Sequence, residues 1–141
     1  MQRKGSAVWS GDFKSGSGTT STESGVLQDA KYGLASRFES EKGTNPEELL
    51  GAAHASCYSM ALSLGLQNAG LSAERIATET TVTFEKVESG FAITKVHIDV
   101  TAKVPGASDE QFQEIAAATK DGCPVSKLFN AEKTVSARLE N

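Results

Sequence analysis

Two thiols are the residues of this chain best suited to chemistry. Cys57 closes the run Gly43-Thr44-Asn45-Pro46-Glu47-Glu48-Leu49-Leu50-Gly51-Ala52-Ala53-His54-Ala55-Ser56-Cys57, Cys123 sits in Asp121-Gly122-Cys123-Pro124-Val125-Ser126, and there is no third cysteine. A cysteine pair can pass through sulfenic acid to a disulfide and back, so thiol redox chemistry is what such a pair could carry. The bland alternative is that both are small apolar core residues, the usual state of a buried free cysteine. Local physics treats them differently. Cys57 has Ala53, Met60, Ala61 and Leu64 as helical neighbours, with only His54 polar. Such surroundings raise a thiol pKa, so a reactive Cys57 thiolate needs a cation from elsewhere in the fold. Cys123 reads as the cap of a short helix with Pro124 at its first position, where the positive end of the macrodipole favours a thiolate. On that ground alone Cys123 looks the better nucleophile, and the residues do not decide which sulfur attacks first.

Other chemistry is thin. The two cysteines and two histidines show no C-x-x-C or H-x-x-x-H spacing, so no metal centre is expected. His54, one turn before Cys57, reads as a packing or hydrogen-bonding residue, with general base as the alternative. His97 falls on the polar face of its strand and is assigned no chemistry.

The elements that must position the thiols are legible. Ala7 to Ser10 begins a short strand, with glycines at 11, 16, 18 and 25 supplying turns, and Tyr32 to Phe38 reads as another strand end. Asn45-Pro46 is a helix start: Asn caps free backbone N–H groups, and Pro at the first position loses no hydrogen bond. Glu48 is placed to reach back to that cap. The helix should run to Asn68 or Ala69 and stop at Gly70. Apolar residues cover most of its circumference, so burial against more than one surface is expected. The sets Ile76, Thr78, Thr80, Val82, Phe84 and Ala92, Thr94, Val96, Ile98, Val100, Ala102 alternate with period two and predict two strands joined by a turn at Glu88-Ser89-Gly90. Ser108 opens a further helix with Phe112, Ile115, Ala116 and Thr119 on one face, ended by Gly122. Lys133 to Leu139 reads as a last strand. The order β-β-β-α-β-β-α-α-β makes the chain α+β with a mainly antiparallel sheet.

Bulk numbers narrow the class. At 141 residues the chain reads as one domain, 1–141. Apolar content of 38% and charged content of 23% suit a globular protein. A net charge of -4 without a basic stripe argues against nucleic acid as partner. No apolar run reaches the roughly 18 residues of a membrane span, so no membrane partner is expected. No apolar stretch follows Met1, so no signal peptide is expected and a cytoplasmic location is the default. Thiols stay reduced there, which makes a cysteine pair more a catalytic than a stapling device.

The stretch from Gly43 to Cys57, with Cys123-Pro124-Val125-Ser126 downstream, resembles the OsmC-like family of organic hydroperoxide reductases. Ser21-Thr22-Glu23-Ser24-Gly25-Val26-Leu27, Arg37-Phe38-Glu39 and Gly90-Phe91-Ala92-Ile93-Thr94-Lys95 look like the OsmC branch, and the motifs agree in order over nearly the whole chain. The resemblance implies an α+β fold with a long buried central helix in an intertwined homodimer. It implies a cysteine-based peroxidase of the oxidative and osmotic stress response, which reduces organic hydroperoxides with a lipoyl-type dithiol and no bound cofactor. By the same resemblance Cys57 matches the peroxidatic cysteine and Cys123 the resolving one. Arg37 matches the arginine that holds the thiolate, and Glu47 the glutamate that orients that arginine.

Residue chemistry is compatible with these roles. A guanidinium stays charged and offers a fork of donors that can lower a thiol pKa and polarise a peroxide oxygen. A carboxylate opposite it fixes the fork. Without the resemblance, Glu47 would read as a helix-dipole partner and Arg37 as a surface charge. Glu47 stands ten residues before Cys57, roughly 15 Å along a helix at 1.5 Å per residue. The arginine must bridge that span, which points to completion of the site by a second subunit. A rival reading is a non-catalytic module, either a thiol redox sensor or an apolar-ligand carrier. Turnover with added dihydrolipoamide separates it from an enzyme.

Overall fold

A computed structural model describes residues 1–141. The chain divides into two compact units, Met1–Leu49 and Leu50–Asn141.

The first unit is a meander of three short strands, β1 (Gly5–Ser10), β2 (Ser17–Thr22) and β3 (Ala30–Tyr32), in the order β1-β2-β3 with both pairs antiparallel. Gly18 on β2 is required where it stands: a Cβ there would lie 2.5 Å from the Tyr32 ring and 2.9 Å from Trp9. Those rings pack with centroids 5.7 Å apart. The expected strand end at Tyr32 to Phe38 is only partly strand. From Leu34 to Phe38 the chain forms a short helix, α1. The reason is one hydroxyl. Ser36 Oγ accepts from the Gly33 N–H at 2.9 Å and donates to the Thr44 carbonyl at 2.9 Å. These local bonds compete with a strand ladder and win.

Helix α2 (Pro46–Asn68) begins and ends as expected. Asn45 Oδ1 accepts from the Glu48 N–H at 2.8 Å. At the far end Gly70 adopts φ +77°, and the Leu71 N–H bonds the Leu66 carbonyl at 2.9 Å. The Glu48 side chain does not reach back to the cap; it accepts from Thr44 Oγ1 at 2.6 Å.

In the second unit β4 (Arg75–Val87) and β5 (Gly90–Lys103) form a long antiparallel hairpin, and β6 (Glu132–Leu139) lies parallel to β5 on its other side. Three of the four strand pairings are antiparallel, as expected, but the strands divide into two three-stranded sheets, and the second has a parallel pair. A parallel neighbour needs a crossover, supplied by α3 (Asp109–Gly122) and a single 3₁₀ turn, Ser126–Leu128. Val96, Ile98, Val100 and Ala102 of β5 point into the core, all fully buried, beside Tyr58, Leu62 and Leu66 of α2 and Phe112 and Ala116 of α3. Tyr58 Oη donates to the Ala116 carbonyl at 2.9 Å, a buried link between the two helices.

Burial of α2 departs from the expected pattern. Only one stripe, Gly51, His54, Tyr58, Leu62 and Leu66, is buried within the protomer. Met60 is 75% exposed and Leu64 58%. The helix is also long and apolar enough, by length and composition, to cross a membrane, and 28% of that stretch is buried. Counting uninterrupted apolar runs missed this, because Gly51, His54, Ser56 and Ser59 break the run without making the helix polar. Its buried stripe is occupied by β5 and α3, as in a core helix.

Candidate active site

The two thiols are neighbours. Cys57, half-buried on α2, and Cys123, 0% exposed, are both free thiols, and they lie close enough for each to shift the other's acidity. The position of Cys123 differs from the expectation. It is the C-cap of α3, its N–H bonding the Thr119 carbonyl at 2.9 Å, and the following turn starts only at Ser126. A helix C-terminus disfavours an anion. Local donors reverse that bias.

The two thiols are pushed apart in acidity. Burial drives the Cys57 thiol above its ordinary value, and the Val125 N–H only partly offsets this. Cys123 is also pushed up by burial, but the Ser126 N–H, the Cys57 thiol, the Ser126 hydroxyl and the Val125 N–H together bring it below its ordinary value. Within this unit the pair is therefore unequal, with Cys123 the more acidic thiol and Cys57 the less acidic one. Hydrogen bonding to the charged form is the deciding cause.

His54 is fully buried, its Nε2 is 2.6 Å from Ser126 Oγ, and its ring packs on Phe129 with centroids 5.2 Å apart. Burial and then the charge of Lys133 lower its pKa, which keeps it neutral. The packing or hydrogen-bonding role expected of His54 is what these contacts describe. Ser126 drew no attention as a separate residue in the sequence. The available signal was its place three residues after Cys123, where a hydroxyl can fold back toward the preceding turn. An apolar hollow of about 330 Å³, lined by Leu50, Ile93, Val125, Leu128, Phe129 and Ala131, borders the turn that carries Ser126.

Arg37 and Glu47 are brought together in the first unit. Arg37 Nη2 donates to Glu47 Oε1 at 2.7 Å, and Nε lies 3.2 Å from both carboxylate oxygens. The geometry follows from local structure. Ser36 and Asn45 tie α1 to the start of α2, with Asn45 Nδ2 donating to the Ser36 carbonyl at 3.3 Å. Arg37 then projects from α1 onto the first turn of α2. Its side chain is 32% exposed and that of Glu47 12%. Arg37 also lines a hollow of about 310 Å³ with Trp9, Phe13, Tyr32, Leu34 and Pro46. No cluster of three or more histidine, cysteine or carboxylate side chains is placed to hold a metal ion.

Residues 39–138 match the family model described as OsmC-like protein. The chain belongs to the OsmC-like protein family. It is 51% identical over 141 residues to the peroxiredoxin OsmC of Escherichia coli, covering 100% of this chain and 99% of that protein. The fold agrees with solved OsmC-like structures. The OsmC-like protein of Mycoplasma pneumoniae superposes with a TM-score of 0.77 at 14% identity, covering 100% of this chain and 99% of the other. The organic hydroperoxide resistance protein OhrB of Bacillus subtilis superposes with a TM-score of 0.68 at 24% identity, covering 97% and 98%. The family match includes Glu47, Cys57 and Cys123, while Arg37 lies two residues before it.

Proposed function

We propose that this OsmC-like protein is a cysteine-based peroxidase that reduces organic hydroperoxides to alcohols. In this reading Cys57 is peroxidatic, Cys123 resolving, and Arg37 and Glu47 activate the first thiol. The observation that carries it is the proximity of the Cys57 and Cys123 thiols, in a chain 51% identical to a peroxiredoxin. The Cys57 thiolate attacks the distal oxygen of the hydroperoxide; the O–O bond breaks and the alkoxide leaves as alcohol after taking a proton. Cys57 becomes a sulfenic acid. The Cys123 thiolate then attacks the Cys57 sulfur, and the hydroxyl leaves as water with one proton. A dithiol, of lipoyl type in this reading, reduces the disulfide by two exchanges and is itself oxidised to a disulfide. The guanidinium of Arg37, held by Glu47, favours the Cys57 thiolate and withdraws charge from the peroxide oxygen. The apolar hollow beside Val125 suits an alkyl group better than hydrogen peroxide.

The two units act as one OsmC-like domain in this reading, a view supported by identity that spans both. A homodimer is the working form. Its support is the uncovered apolar face of α2, with Met60 and Leu64 outward, beside a groove of about 740 Å³ shared with Ile115, Ala118 and Pro124 of the α3 region. Exposed apolar surface of that kind marks an interface. The cytoplasm, which keeps thiols reduced, is the compartment that suits this chemistry.

Stopped-flow oxidation of the reduced protein by cumene hydroperoxide tests the reading. Cys57→Ser should abolish oxidation, and Cys123→Ser should stop at a single sulfenic acid. Undiminished oxidation in Cys57→Ser would remove the proposal. Sedimentation tests the dimer: Leu64→Asp should give monomers, and a monomeric parent at micromolar concentration would refute it.

A further inference from the structure

The first unit carries positive charge that no ion pair uses. Lys14, Lys31 and Lys42 line one polar hollow of about 350 Å³, together with Ser15, Ser17 and Glu41. All three lysines are exposed, and none of their ammonium groups belongs to an ion pair. Local structure brings them together from three parts of the chain. Lys14 sits on the turn between β1 and β2. The Asp12 carboxylate fixes that turn, accepting from the Lys14 and Ser15 N–H groups at 2.8 Å each and from the Ser15 hydroxyl at 2.6 Å. Lys31 is the middle residue of β3. Lys42 lies on the connection from α1 to α2, which is tied to β3 where the Thr44 N–H donates to the Lys31 carbonyl at 2.8 Å. Glu41 is the one carboxylate lining the hollow, so three lysines leave two net positive charges there. A second hollow, of about 310 Å³, adjoins the first along Tyr32, Gly33 and Leu34, which line both. This one is apolar and holds Trp9, Phe13 and Pro46. Phe13 is 67% exposed and Trp9 40%, so aromatic surface stands uncovered. The indole N–H already donates to the Gly11 carbonyl at 3.1 Å, which leaves the ring for apolar contact. Every residue of both hollows lies within Met1–Leu49.

An apolar hollow beside a basic one is complementary to a molecule with the same two ends. We propose that the first unit binds a single-chain amphiphile with a singly charged anionic head, its chain against Trp9, Phe13 and Leu34 and its head among Lys14, Lys31 and Lys42. The two parts of the site do different work. Burial of the chain supplies affinity without regard to the head. The lysines supply selection. Each is a point charge on a flexible stem, so together they close on a small anion without demanding one fixed geometry. A neutral head forgoes that attraction, and Glu41 weighs more heavily against a doubly charged head than against a singly charged one. The inference goes beyond the peroxidase reading, because binding needs neither thiol. Arg37 also lines the apolar hollow, but its guanidinium is held by Glu47 at 2.7 Å and is not assigned to the head.

Trp9 is the only tryptophan of the chain, so its emission reports on the apolar hollow in the full-length protein. The probe is decanoate below its micelle concentration. Decanol is the same chain without the charge, and acetate is the charge without the chain. Decanoate should bind about tenfold tighter than decanol, roughly threefold for each of two net charges at an exposed site. Acetate at the same concentrations should leave the emission unmoved. Each of Lys14→Gln, Lys31→Gln and Lys42→Gln should weaken decanoate binding about 2- to 5-fold and leave decanol unchanged. Glu41→Gln should strengthen decanoate binding by a similar factor, a gain that damage to the fold does not give. Raising salt from about 0.01 M to about 1 M shortens the screening length from about 30 Å to about 3 Å and should close most of the gap between decanoate and decanol. Decanol binding as tightly as decanoate overturns the proposal, and so does unchanged decanoate affinity when all three lysines are replaced. Acetate moving the Trp9 emission as decanoate does would make this a free-anion site and overturns it too. None of these titrations needs turnover, so their failure leaves the peroxidase reading intact, and its failure leaves them intact.

Discussion

Glu47 is the residue whose proposed role can be measured most cleanly, because it acts only through another side chain. Glu47→Gln keeps the shape of the carboxylate and removes its charge and one acceptor. In the structure that carboxylate takes three contacts from Arg37, one of 2.7 Å and two of 3.2 Å. Hydrogen bonds to charged groups are worth roughly 1.5–3 kcal/mol. Solvent discounts this figure, because the Arg37 side chain is 32% exposed and exposed pairs contribute little. The low end is therefore appropriate, about 1.4 kcal/mol or tenfold in rate. Single-turnover oxidation by cumene hydroperoxide should slow about tenfold in Glu47→Gln. In Arg37→Met, which removes the donors themselves, it should slow by roughly 10²–10³, the scale of a lost transition-state donor. The double variant should be no slower than Arg37→Met alone. Multiplying effects would mean that Glu47 acts independently of Arg37, and a wild-type rate in Glu47→Gln would discard the orienting role. Folding stability should fall by less than about 1 kcal/mol, which separates positioning from structural damage.

Three further predictions concern the scaffold. Tyr58→Phe removes the buried bond from Oη to the Ala116 carbonyl; urea unfolding should give about 1 kcal/mol lower stability with an unchanged m-value, and a neutral effect would deny that bond a role. Gly51→Ala places a Cβ 3.0 Å from the Thr80 carbonyl oxygen. The crowding should cost about 1–3 kcal/mol, read as a lowered Tm, whereas an unshifted Tm would mean β4 yields freely. Asn45→Ala deletes the cap that accepts from the Glu48 N–H. It should cost about 1 kcal/mol, with Asn45→Asp retaining most of the stability; equal losses in both would refute capping as the cause.

What could be read from the residues follows from how local each signal is. Asn45-Pro46 and Gly70 bound α2 because caps are made by neighbours in sequence. The alternation in β4 and β5 is visible because one face of each is buried. Two features depend on partners far along the chain; the first was left open and the second misread. The β5–β6 pairing is parallel because the chain crosses over through α3, and the residues of β6 do not record which way their neighbour runs. The α2 surface is apolar nearly all round, yet the chain covers only a single stripe, because composition does not say which neighbours pack on a helix. Two misreadings were local. Leu34–Phe38 is helical because one hydroxyl, Ser36, outbids a strand. Cys123 ends α3 instead of starting the next turn, so the macrodipole argument had the wrong sign. Its pKa is lowered, against burial, by the Ser126 N–H, the Cys57 thiol, the Ser126 hydroxyl and the Val125 N–H. Arg37 and Glu47 carried no signal apart from family resemblance. Their approach depends on Ser36 and Asn45, residues that would otherwise read as loop.

The acidity of the two sulfurs bears on the order of events. In the second unit alone Cys123 is the more acidic thiol, while burial pushes Cys57 up. The proposed reaction needs the reverse in its first step. Two thiols that shift each other's acidity titrate jointly, so one added cation can move the charge without changing how many protons are bound. That is the work assigned to Arg37. Once Cys57 is a sulfenic acid it no longer competes, and the charge belongs to Cys123, the attacker of the second step. Arg37→Met should therefore raise the pH at which Cys57 ionises. Peroxide reactivity should fall near neutral pH and recover only as the pH rises far enough to ionise Cys57. In the parent, reactivity should level off below the ~8.5 of a free cysteine. Stopped-flow rates and thiolate absorbance across one pH series test this directly. If neither the rate nor its pH profile moves, the guanidinium is not the partner of Cys57.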